Sequence, residues 1–393
     1  MGRVDSNSGE RAFSIQRCVG MLHQNKHVAR EEGLKDLVAA LEGFVPSDEI
    51  ADPLYEQALD RCFSFLNIGG SGKERKDAYR AIGIYALTVV GSKAQTLLDR
   101  LFDLDGIFAG MAPSSAADAE RAVAAINCLV AVTLVCEKKA ACAKRTLKAI
   151  CDVIDQTGLP QVLAAALSAW TLLLPRASNL RAMTPFKVIA KHLKADDPAV
   201  RMAAGEALAV CFELNHRPYQ PDPPPAYRYH YYRPREPKPE DRPSLESRVA
   251  ELAVGVEAHK KQHAEERILF RWIKDLLEDN PPGPDDDNDE YDSDDEEEGE
   301  EEESSGLRVR VNKTTWSKLV LLNFLRQYLG EEGFASHSQL NRPLFRDTLG
   351  LTTAAEQKKS LPAQEIKQVR NGRDKQRTKE IKKDRQNKTK QYY

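Results

Sequence analysis

Gly69-Gly70-Ser71-Gly72-Lys73 has the residue types of a phosphate cradle: glycines for close backbone approach and a lysine for charge. Its spacing does not serve that chemistry. Such a loop needs a glycine where Asn67 stands and Ser or Thr where Glu74 stands, and no strand pattern precedes it, so an interhelix turn is expected. His23 with His27, and His259 with His263, are spaced to share one helical face, which is half of a metal site. No His-Glu-x-x-His and no Cys-x-x-Cys supplies the rest. The four histidines therefore read as packing residues of amphipathic stripes, and neither a metal nor another cofactor is expected. Cys18, Cys62, Cys128, Cys136, Cys142, Cys151 and Cys211 are odd in number and fall mostly within apolar helical patterns, so they read as buried free thiols of a reducing compartment. No serine or cysteine stands in an arguable nucleophile–base pair, and Asn312-Lys313-Thr314 is a glycosylation sequon without a secretory leader. Enzymatic work on a small-molecule substrate is not expected.

The chain does carry a strong charge inversion. Residues 285–303 hold 15 acids in 19 positions and no base, whereas residues 306–393 hold 20 Lys/Arg against 8 Asp/Glu. Against a total of −3, this leaves residues 1–280 at zero, so the average charge hides two opposed fields. A basic terminus without a hydrophobic pattern is an electrostatic footprint for polyphosphate, because Lys and Arg that neutralise phosphates release condensed counterions. The acidic run reads either as a solvated spacer or as a competitor that occupies the basic tail until denser phosphate displaces it. Ser293, followed by Asp294-Asp295-Glu296, suits an acidophilic kinase, and a phosphate there would strengthen such a clasp.

The elements that position these charges read as all-α, a HEAT/armadillo-like helical solenoid with a small C-terminal helical module. Segments 28–41, 78–90, 119–132, 161–174 and 199–212 superimpose, with Arg30, Arg80, Arg121, Leu163 and Arg201 at one reference position. Their spacings of 50, 41, 42 and 38 are those of two-helix repeats. The organisation expected is an N-terminal segment 1–27, the solenoid 28–216 and a Pro/Tyr-rich loop 217–243. One long helix capped by Ser244 follows over 244–280, then an acidic linker 281–306, a C-terminal module 307–351 and a basic tail 352–393. In the loop, Tyr227, Tyr229, Tyr231 and Tyr232 stand among arginines, to stack on bases or to clamp the loop on the array. Residues 307–311 fit a short strand and 315–329 an apolar helix. No apolar run reaches the ~18–20 residues of a membrane span, so no membrane partner is expected and the location expected is cytoplasmic.

Residues 259–275 and 315–349 resemble the interferon-related developmental regulator family. The resemblance rests on Glu266-Arg267-Ile268-Leu269-Phe270-Arg271, on Trp316, on Leu329-Gly330, on His337 and Asn341, and on Leu344, Arg346 and Asp347. It implies a helical-repeat region joined to a C-terminal segment, and one of two activities. In the first, the protein occupies idle ribosomes, with its C-terminal helix in the path of mRNA and tRNA. In the second, it bridges DNA-bound factors and histone deacetylase complexes as a transcriptional co-regulator, which adds a nuclear pool and nuclear partners. The residues favour the first. Lys358, Lys359, Lys367, Arg370, Arg373, Lys375, Arg377, Lys379, Lys382, Lys383, Arg385, Lys388 and Lys390 lie in a segment with almost nothing to bury on its own solenoid. A phosphate-walled channel would order it, and the bases would contact rRNA phosphate without reading sequence.

The repeat alignment places Trp170 and Leu172 to Leu174 in the shared core. Trp170→Ala is expected to destabilise by roughly 3–5 kcal/mol in thermal or denaturant unfolding; a loss below about 1 kcal/mol would put Trp170 on the surface and break the alignment.

Overall fold

A computed structural model of the chain describes residues 15–46, 48–67, 70–104, 111, 113, 115–177, 186–215, 242–254, 264–278 and 315–351. Apart from one isolated parallel bridge between Gly91 and Cys136, the regular elements among them are helical. They are α1 (15–22), α2 (His27–Glu42), α3 (Pro53–Asn67), α4 (Gly72–Val89), α5 (Ser92–Phe102), α6 (Ala119–Val135), α7 (Lys139–Gln156) and α8 (Pro160–Leu173). α9 (Phe186–His192), α10 (Pro198–Asn215), α11 (Arg242–Val254), α12 (Ala264–Leu277), α13 (Trp316–Leu340) and a π-helix (Pro343–Thr348) follow.

Local chemistry sets the helix starts. Ser71 caps α4 by accepting from the Glu74 amide at 3.1 Å while the Glu74 carboxylate accepts from the Ser71 amide, a reciprocal capping box. The glycine-rich stretch is thus the turn into a helix, and the glutamate that spoils a phosphate loop there is the residue that closes the cap. Asp197 accepts from the amides of Ala199 and Val200 at the start of α10, with Pro198 at the first helical position.

The even-numbered helices form a row in which α2, α4, α6, α8, α10 and α12 pack each on the next. Each odd helix from α3 to α11 packs against the even helix that follows it. The five segments aligned in the sequence are the first five members of the row. α6 and α8, in the middle, are apolar almost all round, as helices buried on every side must be. Trp170, Leu172, Leu173 and Leu174 are all buried. The odd helices are stitched at the surface by a repeated device. Arg100 pairs with Asp60 at 2.8 Å and lies over Phe63; Arg145 pairs with Asp99 at 2.8 Å and lies over Phe102.

Residues 244–280 do not form one helix. α11 and α12 pack against each other as a hairpin, and α11 begins at Arg242, leaving Ser244 inside its first turn and exposed. The apolar stripe at three and four continues through the sequence between them, so periodicity alone does not separate the two helices. α12 extends the row: Phe270 and Ile273 fill the space that Gly205 leaves open on α10, where a Cβ would meet Phe270 at 2.9 Å.

The two ends of the row carry the same ionic device. On α2, Arg30 donates to the Glu74 carboxylate at 2.6 Å and to the carbonyls of Gln24 and Asn25 just upstream. On α10, Arg201 donates to Glu266 at 2.5 Å and to the carbonyls of Ala195 and Asp196. In each case the acid sits in the first turn of the next helix in the row. Burial pushes the Glu74 carboxyl up, but hydrogen bonds from Arg30, the Ser71 amide and His27 outweigh it and hold it below the usual carboxylate range. His27 thus reaches Glu74 from the exposed start of α2, and His23 lies exposed in the turn after α1. The pair does not share a helical stripe, because the α1–α2 turn falls between them.

Removing one partner of a buried pair leaves the other charge without compensation, whereas a surface pair is worth little. Arg30→Ala, which strips a fully buried carboxylate, is expected to cost about 3 kcal/mol. Arg80→Ala, whose pair with Glu42 is 40% and 27% exposed, is expected to cost at most about 1 kcal/mol. Urea unfolding of the two variants side by side checks this, and equal losses would refute the assignment.

Candidate functional site

The C-terminal segment is laid along the solenoid and is not a separate body. α13 starts at α10, where the Ser317 amide and hydroxyl donate to Glu213 at 2.8 and 3.1 Å. It contacts α8 and α10 and ends on α2, having crossed α4 on the way. Trp316, Val320, Leu321, Leu325, Tyr328 and Leu329 are buried along it. Tyr328 seats its hydroxyl on Gly83 of α4, where a Cβ would stand 1.9 Å from that oxygen, so only glycine admits the ring. Gly330 then breaks the helix with φ 75°, a left-handed conformation natural to glycine, and the second half runs on to α2. Leu329-Gly330 is one of the pairs on which the family resemblance rests. The helix expected over 315–329 is present and continues beyond the turn to Leu340.

Two residues singled out in the sequence form a buried clamp at the far end. The His337 Nε2 faces the Leu41 carbonyl at 3.0 Å, and because a carbonyl only accepts, that nitrogen carries the proton. Nδ1 therefore accepts from the Asn341 side-chain amide at 3.2 Å. The same amide nitrogen donates to the Leu87 carbonyl at 3.0 Å, and the Asn341 oxygen accepts from the Leu344 amide at 3.2 Å. All polar atoms of both side chains are satisfied, and the end of α13 is tied to the last turns of α2 and α4 at once. The π-helix begins at Pro343 and turns back toward α7, where the Lys139 ammonium donates to the Thr348 carbonyl at 3.2 Å. Leu344, Phe345 and Leu351 are buried, so the chain is held on the solenoid up to the point where the basic tail starts.

The remaining site residues divide cleanly. Trp316 is buried at the start of α13, whereas Arg346 and Asp347 are exposed on the π-helix. Lys358 to Lys390, Ser293 with its acidic run, the tyrosines of the Pro/Tyr-rich loop, His259, His263, residues 307–311 and the sequon at Asn312 lie outside the described residues. Gly83, Glu213 and the carbonyls of Leu41 and Leu87 carried no sequence signal, because their roles depend on a partner more than 100 positions away. All seven cysteines are free and six are buried. Burial pushes the Cys62 and Cys211 thiols up to about 12, which removes thiolate character. Among the described residues no three His, Cys, Asp or Glu cluster as metal ligands, and no helix is long and apolar enough to cross a membrane.

A row of helix pairs sealed by its own C-terminal helix defines an all-α solenoid scaffold. The chain belongs to the interferon-related developmental regulator family, whose sequence profile matches residues 4–278, a span that ends one residue beyond α12. The match takes in the 259–275 segment that carried part of the resemblance, and α13 lies past it. This is a regulatory family. No curated protein matches the chain.

The clamp makes a pH prediction. Burial pushes the His337 imidazole down, and the bond to the Leu41 carbonyl only partly offsets it. The folded protein therefore binds this proton less readily than the unfolded chain, whose histidines titrate near ~6.5. The clamp's contribution is present above that pH and is lost as pH falls below it. The stability advantage of the native chain over His337→Gln should shrink between pH 7 and 5 in thermal melts, while other titrating groups cancel in the difference. A constant difference would show that the ring is not held neutral.

Proposed function

We propose that this protein is a ribosome-binding translational regulator whose basic C-terminal segment enters the mRNA and tRNA path of idle ribosomes, while the solenoid docks on the surface. The observation that carries the reading is charge segregation in the tail. Residues 352–393 hold 13 Lys/Arg against 5 Asp/Glu with few residues to bury, a composition suited to phosphate and unsuited to packing. The geometry of the body supports it. A segment that must thread a narrow path gains from a fixed origin, and Leu351 is buried with its amide donating to the Phe345 carbonyl of the π-helix. The bases named above would contact rRNA phosphates, with partners drawn from rRNA and ribosomal proteins, in the cytoplasm.

Deleting residues 355–393 should abolish co-sedimentation with ribosomes and flatten the salt dependence of binding. The melting temperature should change little, because the described core ends at Leu351. Undiminished sedimentation of the truncated chain would overturn the reading.

A further inference from the structure

α7 has its charges the wrong way round. Lys139, Lys144, Arg145 and Lys148 occupy its first ten residues and Asp152 and Asp155 its last five; its first turn holds no acid and its last turn no base. Backbone amides at a helix N-terminus carry partial positive charge, so Lys138 and Lys139 at the first turn and Asp155 in the last oppose the macrodipole. Lys138 occupies the N-cap position without a side-chain cap. Arg145 is engaged by Asp99 and stacked over Phe102, but Lys138, Lys144 and Lys148 are exposed and make no ion pair with a described residue. The Lys139 bond to the Thr348 carbonyl brings the π-helix against this end of α7, which adds the exposed Arg346 to the same region. Glu137 and Asp347 are the acids adjoining it in sequence. The neighbouring helices differ: on α5, Lys93 faces Glu56 and Arg100 pairs with Asp60.

We propose that Lys138, Lys144 and Lys148, with Arg346, form a second phosphate-binding surface on the solenoid, contacting an RNA backbone away from the path that the tail occupies. The inference rests on the ribosome-binding reading and deepens it. An anionic partner at this end of α7 compensates Lys138, which the helix end disfavours, together with the exposed Lys144 and Lys148. The choice of RNA over an acidic protein follows from what the face lacks. The exposed large apolar residues lie on other helices, and α7 offers only Ala140 and Ala141 between its lysines. A protein interface needs aromatic or apolar anchors at its centre, whereas backbone contact with phosphate needs none. From Lys138 to Lys148 the helix rises about 15 Å, room for about four phosphates of one strand.

The test uses the full chain with Lys138, Lys144 and Lys148 all changed to Ala, beside a second full-length chain in which the Lys and Arg of 367–390 are changed to Ala. Binding to purified ribosomes, to poly(U) and to polyglutamate is measured across salt concentrations. The α7 variant should melt no lower than the native chain, since the three side chains are exposed and Lys138 opposes the helix dipole. Its slope of log affinity against log salt on poly(U) should fall by about 2, near 0.7 per lost contact, with weaker ribosome binding. Unchanged slope and affinity in the α7 variant, with binding lost in the tail variant, would overturn this surface and leave the ribosome reading standing. Loss of polyglutamate binding with RNA binding intact would also overturn it, assigning the face to an acidic peptide. If the unaltered chain binds neither ribosomes nor poly(U), both readings fall together.

Discussion

A helix pair in this array buries one apolar face on its predecessor and offers another to its successor, so no pair is stable alone and the stack is always one pair short of closure. The chain meets that constraint twice over. Along the row, α12 supplies the last even helix and buries Phe270 and Ile273 against α10. Across the row, α13 covers apolar surface on α10, α8, α4 and α2 and contributes Trp316, Leu325, Tyr328 and Leu329 to the same core. Among the described residues beyond Glu278, α13 covers surface that the solenoid leaves open.

The polar groups buried at the joints of this interior close their hydrogen bonds. Glu74 is fully buried yet receives Arg30 and the Ser71 amide, and it serves as cap, ion-pair partner and joint between two helices. His337 and Asn341 are buried with every donor and acceptor placed. Thr133 resolves its hydroxyl with the Leu129 carbonyl and Thr146. Such networks fix register, since an apolar contact can slide by a fraction of a turn while a hydrogen bond to one carbonyl cannot.

The helical row was legible in the sequence because each even helix repeats an apolar pattern at nearly constant spacing, and Arg30 and Arg201 turned out to be equivalent in partners as well as position. The packing of α11 against α12 as two helices was not legible, because the sequence between them keeps the helical period. The C-terminal residues were read as one group, but the fold splits them. His337 and Asn341 are interior fasteners, whereas Arg346 and Asp347 face solvent. Spacing could not separate these roles, since the carbonyls that His337 and Asn341 meet belong to α2 and α4 and leave no trace in side-chain identity. The reversed charges of α7 were in plain view in the sequence, but their significance required knowing where the helix starts and which lysines lack partners.

α13 also changes what kind of mechanical object the solenoid is. An unbraced stack of helix pairs behaves as a spring, since small rotations at each interface add up and the curvature can adapt to a partner. Here α13 runs from Glu213 on α10 to Leu41 on α2, like a tie-rod across a bow. Bending would have to lift Tyr328 from the notch at Gly83 or draw His337 away from its carbonyl. The only hinge along the rod is Gly330, and it lies between those two fastenings. A change of curvature therefore has to break one of those fastenings or turn at Gly330. Such a body meets a partner of matching shape without the entropic cost of stiffening, and it is correspondingly poor at fitting any other.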